Sequence, residues 1–169
     1  MGRGYTLAGM NREIVIRRAR PDENNSVHAL VQVIADETFA YLFHSQVPIG
    51  EPNWISAWLA ISRDEIIGVT MTRDEWVSDL WVRSDSRRRG IGAQLLGRAE
   101  LEIRGRGYET LRLRVVKSNT RAVQFYKSHG WSVHREFPHE KFAHPMFEMT
   151  KSYRTTPRSE MFCESERRG

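Results

Sequence analysis

A single cysteine, Cys163, has no partner for an intramolecular disulfide and rules out a multi-cysteine zinc site. It points to a reducing, cytoplasmic setting. No apolar run approaches the roughly 18 residues that span a membrane, so no membrane partner is expected. Residues Met1 to Arg12 hold charges and glycines but no apolar h-region, and are not read as a signal peptide. The six histidines never fall at H-x-x-x-H or H-E-x-x-H spacing, so no metal is expected. No G-x-x-x-x-G-K-[ST] sequence occurs, and no Ser–His–acid grouping stands out. P-loop chemistry and a covalent acyl-enzyme are therefore both disfavoured. Internal repeats are absent.

What is present is 169 residues with a net charge of +5, enough for one domain burying about two-thirds of its unfolded surface. The expected organisation is a flexible N-terminal extension at 1–12, a folded domain at 13–151 and a polar tail at 152–169. The charge is uneven: from Arg83 to Arg106 seven arginines stand against Asp85, Glu100 and Glu102. Such a run is a solvated basic face, a nucleic-acid surface, or the rim of a site for a small anion. The loop lacks neighbouring aromatics and a recognition-helix pattern, which sets nucleic acid behind the small anion.

Glu13 to Arg18 reads as a strand ended by Arg20-Pro21-Asp22. From Asn25 to about Leu42, Val27, Leu30, Val31, Ile34 and Ala35 recur at helical spacing. Trp54 to Ile61 and Glu65 to Thr72 read as strands joined at Ser62-Arg63-Asp64, and Trp76 to Val82 as another. Ile91 to Arg104 carries Ile91, Leu95, Leu96, Ala99 and Ile103 on one stripe, and Gly105 and Gly107 end it. Thr110 to Val116 alternates like a strand. Asn119 caps a short helix with Ala122, Val123 and Tyr126 inward, closed by Gly130. Trp131 to Phe137 and Met146 to Lys151 supply the last strands. The expected fold is α/β (α+β mixed). A single central sheet of six to seven strands, mostly antiparallel with a splayed parallel pair, is flanked by about four helices. The parallel neighbours are Trp76–Val82 and Thr110–Val116, with a right-handed crossover.

The segment Val77 to Gly92 concentrates the chemistry. A strand ends in a polar turn, and a basic loop with Gly90 and Gly92 opens an amphipathic helix. Backbone N–H groups at a helix start lack helical partners, and the macrodipole adds positive potential there. Glycines let a pyrophosphate approach the backbone, and Arg87, Arg88 and Arg89 add charge on the rim.

With these residues in view, the chain resembles the GNAT (Gcn5-related) N-acetyltransferases. Arg87-Arg88-Arg89-Gly90-Ile91-Gly92, continuing into Ala93, fits the family's Q/R-x-x-G-x-G/A loop. Asn119-Thr120-Arg121-Ala122-Val123-Gln124-Phe125-Tyr126, followed by Gly130-Trp131, fits its N-x-x-A-x-x-F/L-Y-x-x-x-G-F element. The resemblance covers about Glu13 to Lys151. It implies that the loop holds the pyrophosphate of acetyl-CoA. It further implies that Leu80, Trp81 and Val82 pair with the pantetheine arm and that Asn119, Ala122 and Tyr126 complete the cofactor site. The activity implied is acetyl transfer to a primary amine by direct attack in a ternary complex. The acceptor stays open between a small amine, amino acid or antibiotic and a protein amine. A non-catalytic acyl-CoA sensor is the alternative, with a nucleic-acid binder behind it. Some members pair through their last strands, which leaves room for a homodimer.

For the chemistry itself, the backbone N–H of Leu80 or Val82 is the natural oxyanion donor. Tyr126, two helical turns past Asn119 on the same face, is the candidate general acid, as similar tyrosines in the family are. Family members carry a glutamate where this chain has Ser78 or Arg114. Both are missing, and Asp79 and Glu75, read as sharing a strand face, are the substitutes that act through water. Tyr41, His44, Trp54, Trp76 and Ser78 are candidate acceptor contacts, with Trp58 and Trp81 adding to an aromatic substrate side around the loop Phe43–Asn53.

Overall fold

Two consecutive non-glycine residues, Arg63 (φ +53) and Asp64 (φ +64), take the left-handed conformation. That is the backbone of a two-residue hairpin turn matched to the right-handed twist of strands. It joins the strands on either side in tight antiparallel register. The computed structural model describes residues 13–43, 45–50 and 53–153. The N-terminal extension, His44, Cys163 and the tail beyond Tyr153 lie outside the described residues.

The chain divides into two units, Met1–Ile103 and Arg104–Gly169. In the first, β1 (Val15–Arg18), β2 (Trp58–Ser62), β3 (Glu65–Arg73) and β4 (Trp76–Val82) form an antiparallel meander. Helix α1 (Asn24–Phe39) precedes β2, and α2 (Ile91–Gly105) follows β4. The meander buries both faces because its strands alternate apolar residues on each. On one face Leu59, Val69, Met71 and partly buried Trp81 cluster with Val27 and Val31 of α1 and with Trp54. On the other, Ala60 and Ile67, with Leu80 and Val82, cluster with Ile91 and Leu95 of α2. Each fully buried Leu or Ile contributes about 1.5–3 kcal/mol.

Gly68 sits where α2 comes closest to β3. A Cβ there would meet Leu95 Cδ1 and the Trp81 carbonyl oxygen, both at 3.0 Å. A side chain there would make helix or strand give by a few tenths of an ångström.

The second unit contains β5 (Thr110–Val116), α3 (Thr120–Ser128), β6 (Ser132–Pro138) and β7 (Pro145–Ser152). Strand β7 pairs antiparallel with both β5 and β6, and the register on β6 shifts at His134. The buried Glu148 carboxylate receives Arg112 at 2.6 Å and Arg135 at 2.9 Å. Burial opposes its charge, but the two guanidiniums outweigh burial and hold its pKa below the ordinary value. Over the whole chain the strand order is β1-β2-β3-β4-β5-β7-β6, the expected mixed sheet with helices beside it. Among the described residues no helix is long and apolar enough to cross a membrane.

Several boundaries differ from the sequence reading. Helix α1 stops at Phe39 and turns follow, although the apolar pattern runs on towards Leu42. The expected strand from Trp54 begins only at Trp58, because Trp54–Ser56 forms a single 3-10 turn capped by the Asn53 side chain. Glu75 is not on a strand face. It lies in the two-residue turn with Asp74 (φ +51), and β4 starts at Trp76.

Candidate active site

The register of β4 on β3 is broken in the middle. Met71 pairs with Asp79 but Thr72 pairs with Val77, so Ser78 is an extra, bulged residue. Its hydroxyl donates to the Met71 carbonyl at 3.1 Å. The bulge sets which side each later residue faces. Asp79 and Trp81 lie on the α1 side, opposite Met71 and Val69, and Leu80 and Val82 pack towards α2. The Arg83 N–H donates to the Ile67 carbonyl at 3.0 Å. Strand alternation therefore turns the N–H groups of Leu80 and Val82 away from β3, outside the β3–β4 ladder.

After β4 the chain makes one 3-10 turn at Ser84–Ser86. Arg83 is engaged with Glu65 at 2.8 Å and Asp85 at 2.7 Å. Arg87 Nε donates to the Val82 carbonyl at 2.9 Å, tying the loop to the end of β4. Nothing in the sequence marks that tie, because an arginine in a basic run looks like its neighbours. Arg88 (φ +60) and Gly90 (φ +76) are both left-handed, a curl of the kind that turns successive N–H groups into an anion-binding concavity. The first helical bond of α2 runs from the Gln94 N–H to the Gly90 carbonyl at 3.1 Å. The N–H groups of Ile91, Gly92 and Ala93 thus have no helical acceptor, and Arg88 and Arg89 stand beside them. Amides, dipole and guanidiniums together suit a phosphate-bearing ligand.

Asp79 has two neighbouring donors. Trp81 Nε1 gives it a hydrogen bond at 3.1 Å, and the Ser78 hydroxyl and the Arg73 charge also favour its anion. Burial outweighs all three and raises its pKa above the ordinary carboxylate value. Beside it, a cavity of about 400 Å³ is lined by Asn53, Ile55, Ser56, Met71, Thr72 and Arg73. Sequence reasoning did not single out Arg73, and no spacing or motif marks it.

In the second unit, the Asn119 side chain accepts from the Ala122 N–H at 3.2 Å and caps α3 as expected. Tyr126 is 9% exposed, in edge contact with Phe125 at 5.4 Å and with Trp131 at 6.2 Å. Gly130 (φ +84) stops the helix.

The expected aromatic substrate side is mostly structural. Trp54 is wholly buried in the core, its Nε1 without a hydrogen-bond partner, so it is withdrawn as an acceptor contact. Trp58 donates to Glu102 at 2.6 Å, and the guanidiniums of Arg18 and Arg98 lie over its ring at 4.2 and 4.5 Å. Trp81 meets Phe39 edge-on at 6.3 Å. Tyr41 is exposed in the turn after α1, and Trp76 is half-buried at the start of β4. Among the described residues no three His, Cys, Asp or Glu side chains gather as metal ligands.

Residues 27–131, more than half of the chain, match the Acetyltransferase (GNAT) family. No curated protein matches. Among solved structures, apo YjaB from Escherichia coli is 22% identical with a TM-score of 0.65, over 82% of this chain and 97% of that one. The PaiA N-acetyltransferase of Thermoplasma acidophilum, solved with coenzyme A, is 18% identical with a TM-score of 0.68, over 83% and 99%. The ribosomal-protein-alanine N-acetyltransferase of Brucella melitensis is 18% identical with a TM-score of 0.65, over 82% and 99%. At these identities the structures establish a shared fold, and the family match carries the rest: the chain belongs to the Acetyltransferase (GNAT) family and is an acyltransferase.

Proposed function

We propose that the chain moves an acetyl group from acetyl-CoA to a primary amine by direct attack in a ternary complex. The observation that carries this is the start of α2, where three amides without helical acceptors lie behind a left-handed curl rimmed by Arg88 and Arg89. The residues fit the cosubstrate, as its pyrophosphate needs N–H donors and positive charge and its amide-bearing arm needs strand-like backbone groups. The bound coenzyme A of the PaiA structure supports the same choice of ligand.

Acetyl-CoA supplies the activated acyl thioester. The N–H of Leu80 or Val82, outside the β3–β4 ladder, polarises its carbonyl. Asp79 accepts the proton that an ammonium must lose, directly or through water, and the burial that raises its pKa favours the protonated form it then takes. Glu75, in the β3–β4 turn, is a second acceptor reached through water. The nitrogen–carbonyl bond forms as the carbon–sulfur bond breaks; Tyr126 gives the departing sulfur its proton and regains one through water from the second proton that the attacking nitrogen sheds. Asn119 and Ala122 hold the start of α3 against the cosubstrate arm. Acceptors of both kinds, small amines and protein amines, fit this chemistry. The lone cysteine suits a reducing, cytoplasmic setting. A homodimer would pair through the exposed strand β6.

Calorimetric titration of acetyl-CoA into the parent and into Gly92→Glu tests this reading. Micromolar binding lost in the variant, followed by thiol release with an amine panel, is the expected result. No binding by the parent would overturn it. Binding without thiol release for any amine would leave a cofactor sensor.

A further inference from the structure

The cavity beside Asp79 has a chemical character of its own. Its polar lining consists of Asn53, Ser56, Thr72 and Arg73, and its apolar lining of Ile55 and Met71. No carboxylate is among these six residues. The Asn53 side-chain oxygen is already used, accepting the Ile55 N–H at 3.0 Å, so the free capacity of that amide is its N–H pair. Among the described residues the Arg73 guanidinium makes no hydrogen bond or ion pair, and it is near enough to Asp79 to stabilise its charge. The wall is therefore rich in donors and carries one cation. Asp79, the cross-strand partner of Met71 and within electrostatic reach of Arg73, supplies the neighbouring carboxyl.

We propose that this cavity selects the acceptor, and that the acceptor is a compact amine bearing a carboxylate. Arg73 and the Asn53 amide receive the carboxylate, and Asp79 receives the ammonium. The inference rests on the transferase reading above. A guanidinium binds a carboxylate through two parallel N–H donors, the pairing for which a lysine or a neutral amide is a poor substitute. A polyamine would bring a second ammonium against Arg73 and meet repulsion instead. About 400 Å³ lies towards the small end of ligand sites, which run from about 300 to 1,000 Å³ and favour a molecule of amino-acid or dipeptide size. Ile55 and Met71 then cover the carbon chain between the two charged ends.

The test is a panel of glycine, β-alanine, γ-aminobutyrate and lysine, their carboxamides, and the diamines putrescine and cadaverine, with thiol release as readout. Carboxylate acceptors should exceed their own carboxamides in kcat/KM by about ten- to a hundredfold, the range of one charge-assisted contact. Arg73→Ala should abolish that preference through KM with acetyl-CoA affinity unchanged, and Arg73→Lys should restore part of it. Carboxamides or diamines used equally well, or a preference that survives Arg73→Ala, would overturn the inference and leave the transferase standing. Should no amine release thiol, the transferase reading fails separately. Calorimetric binding of the same panel to the coenzyme A complex then decides the cavity: carboxylate preference lost in Arg73→Ala supports it, and equal binding refutes it.

Discussion

Trp81 Nε1 donates to Asp79 Oδ1 at 3.1 Å, from two residues further along the same strand. The bulge at Ser78 keeps both side chains on the α1 face, where the indole bond offsets part of the burial that raises the Asp79 pKa. Asp79→Asn keeps an acceptor for that indole and removes the titrating group. Its folded pKa is raised, so the native state binds more protons than the unfolded chain as pH climbs past the ordinary carboxylate range. Asp79 therefore lowers stability as pH increases through that window. The variant should gain on the order of 1 kcal/mol over the parent at pH 8 and less at pH 4. Its acetyl transfer should fall and lose its acidic limb. Denaturant melts at both pH values, with rate profiles, decide this; a variant as active as the parent would dismiss Asp79 as proton acceptor.

Tyr126→Phe separates chemistry from packing. The ring contacts with Phe125 and Trp131 survive the change and only the hydroxyl goes. Loss of a general acid should lower kcat on the order of 100-fold, with a far smaller change in calorimetric acetyl-CoA affinity. Equal losses in rate and affinity would make Tyr126 a structural residue.

Acid stability should depend on the Arg17–Glu23 pair. Its bonds of 2.8 and 2.6 Å, with a further one from the Arg20 N–H, hold the Glu23 carboxyl down at about 2. A depressed folded pKa stabilises the protein above the unfolded value, and the gain fades as pH falls from the ordinary range towards 2. Glu23→Gln should cost about 1 kcal/mol at pH 7 and should converge with the parent near pH 2. Urea midpoints over that range are the measurement, and parallel curves would contradict the assignment.

The Arg63-Asp64 turn offers an independent stability test. Asp64→Gly relieves a left-handed residue and should raise stability by about 1 kcal/mol, or Tm by roughly 2–4 °C. An unchanged or lower Tm would mean that the turn carries no such strain.

What the sequence disclosed and what it concealed divide along physical lines. Strand β4 at Trp76–Val82, β5 at Thr110–Val116 and the Asn119 cap are local matters, decided by alternation and by one side chain reaching three residues on. The glycine loop was legible for the same reason, since a turn and a helix start are written in adjacent residues. The Ser78 bulge belongs to a pair of strands and no single segment encodes it; simple alternation puts Glu75 and Asp79 on one face, whereas Glu75 lies in the turn before β4. Trp54 has the composition of a strand residue but is captured by the Asn53 cap and the core. Arg73, Arg87 and Arg112 read alike as exposed cations. Only the folded chain assigns them to a cavity wall, to the end of a strand and to a buried carboxylate.

Gly68 acts as the spacer between the amide-bearing end of α2 and the strand that carries Leu80 and Val82. With Leu95 Cδ1 and the Trp81 oxygen each 3.0 Å from where a methyl would stand, any side chain there must push helix or strand by a few tenths of an ångström. Such a displacement touches no charge, yet, passed through the Trp81 oxygen and Ile91, it would detune the distance between the pyrophosphate cradle and the oxyanion-stabilising N–H groups. The calibration of the site is therefore vested in an atom that is not there, and substitutions at a residue remote from every ligand would be read as losses of catalysis.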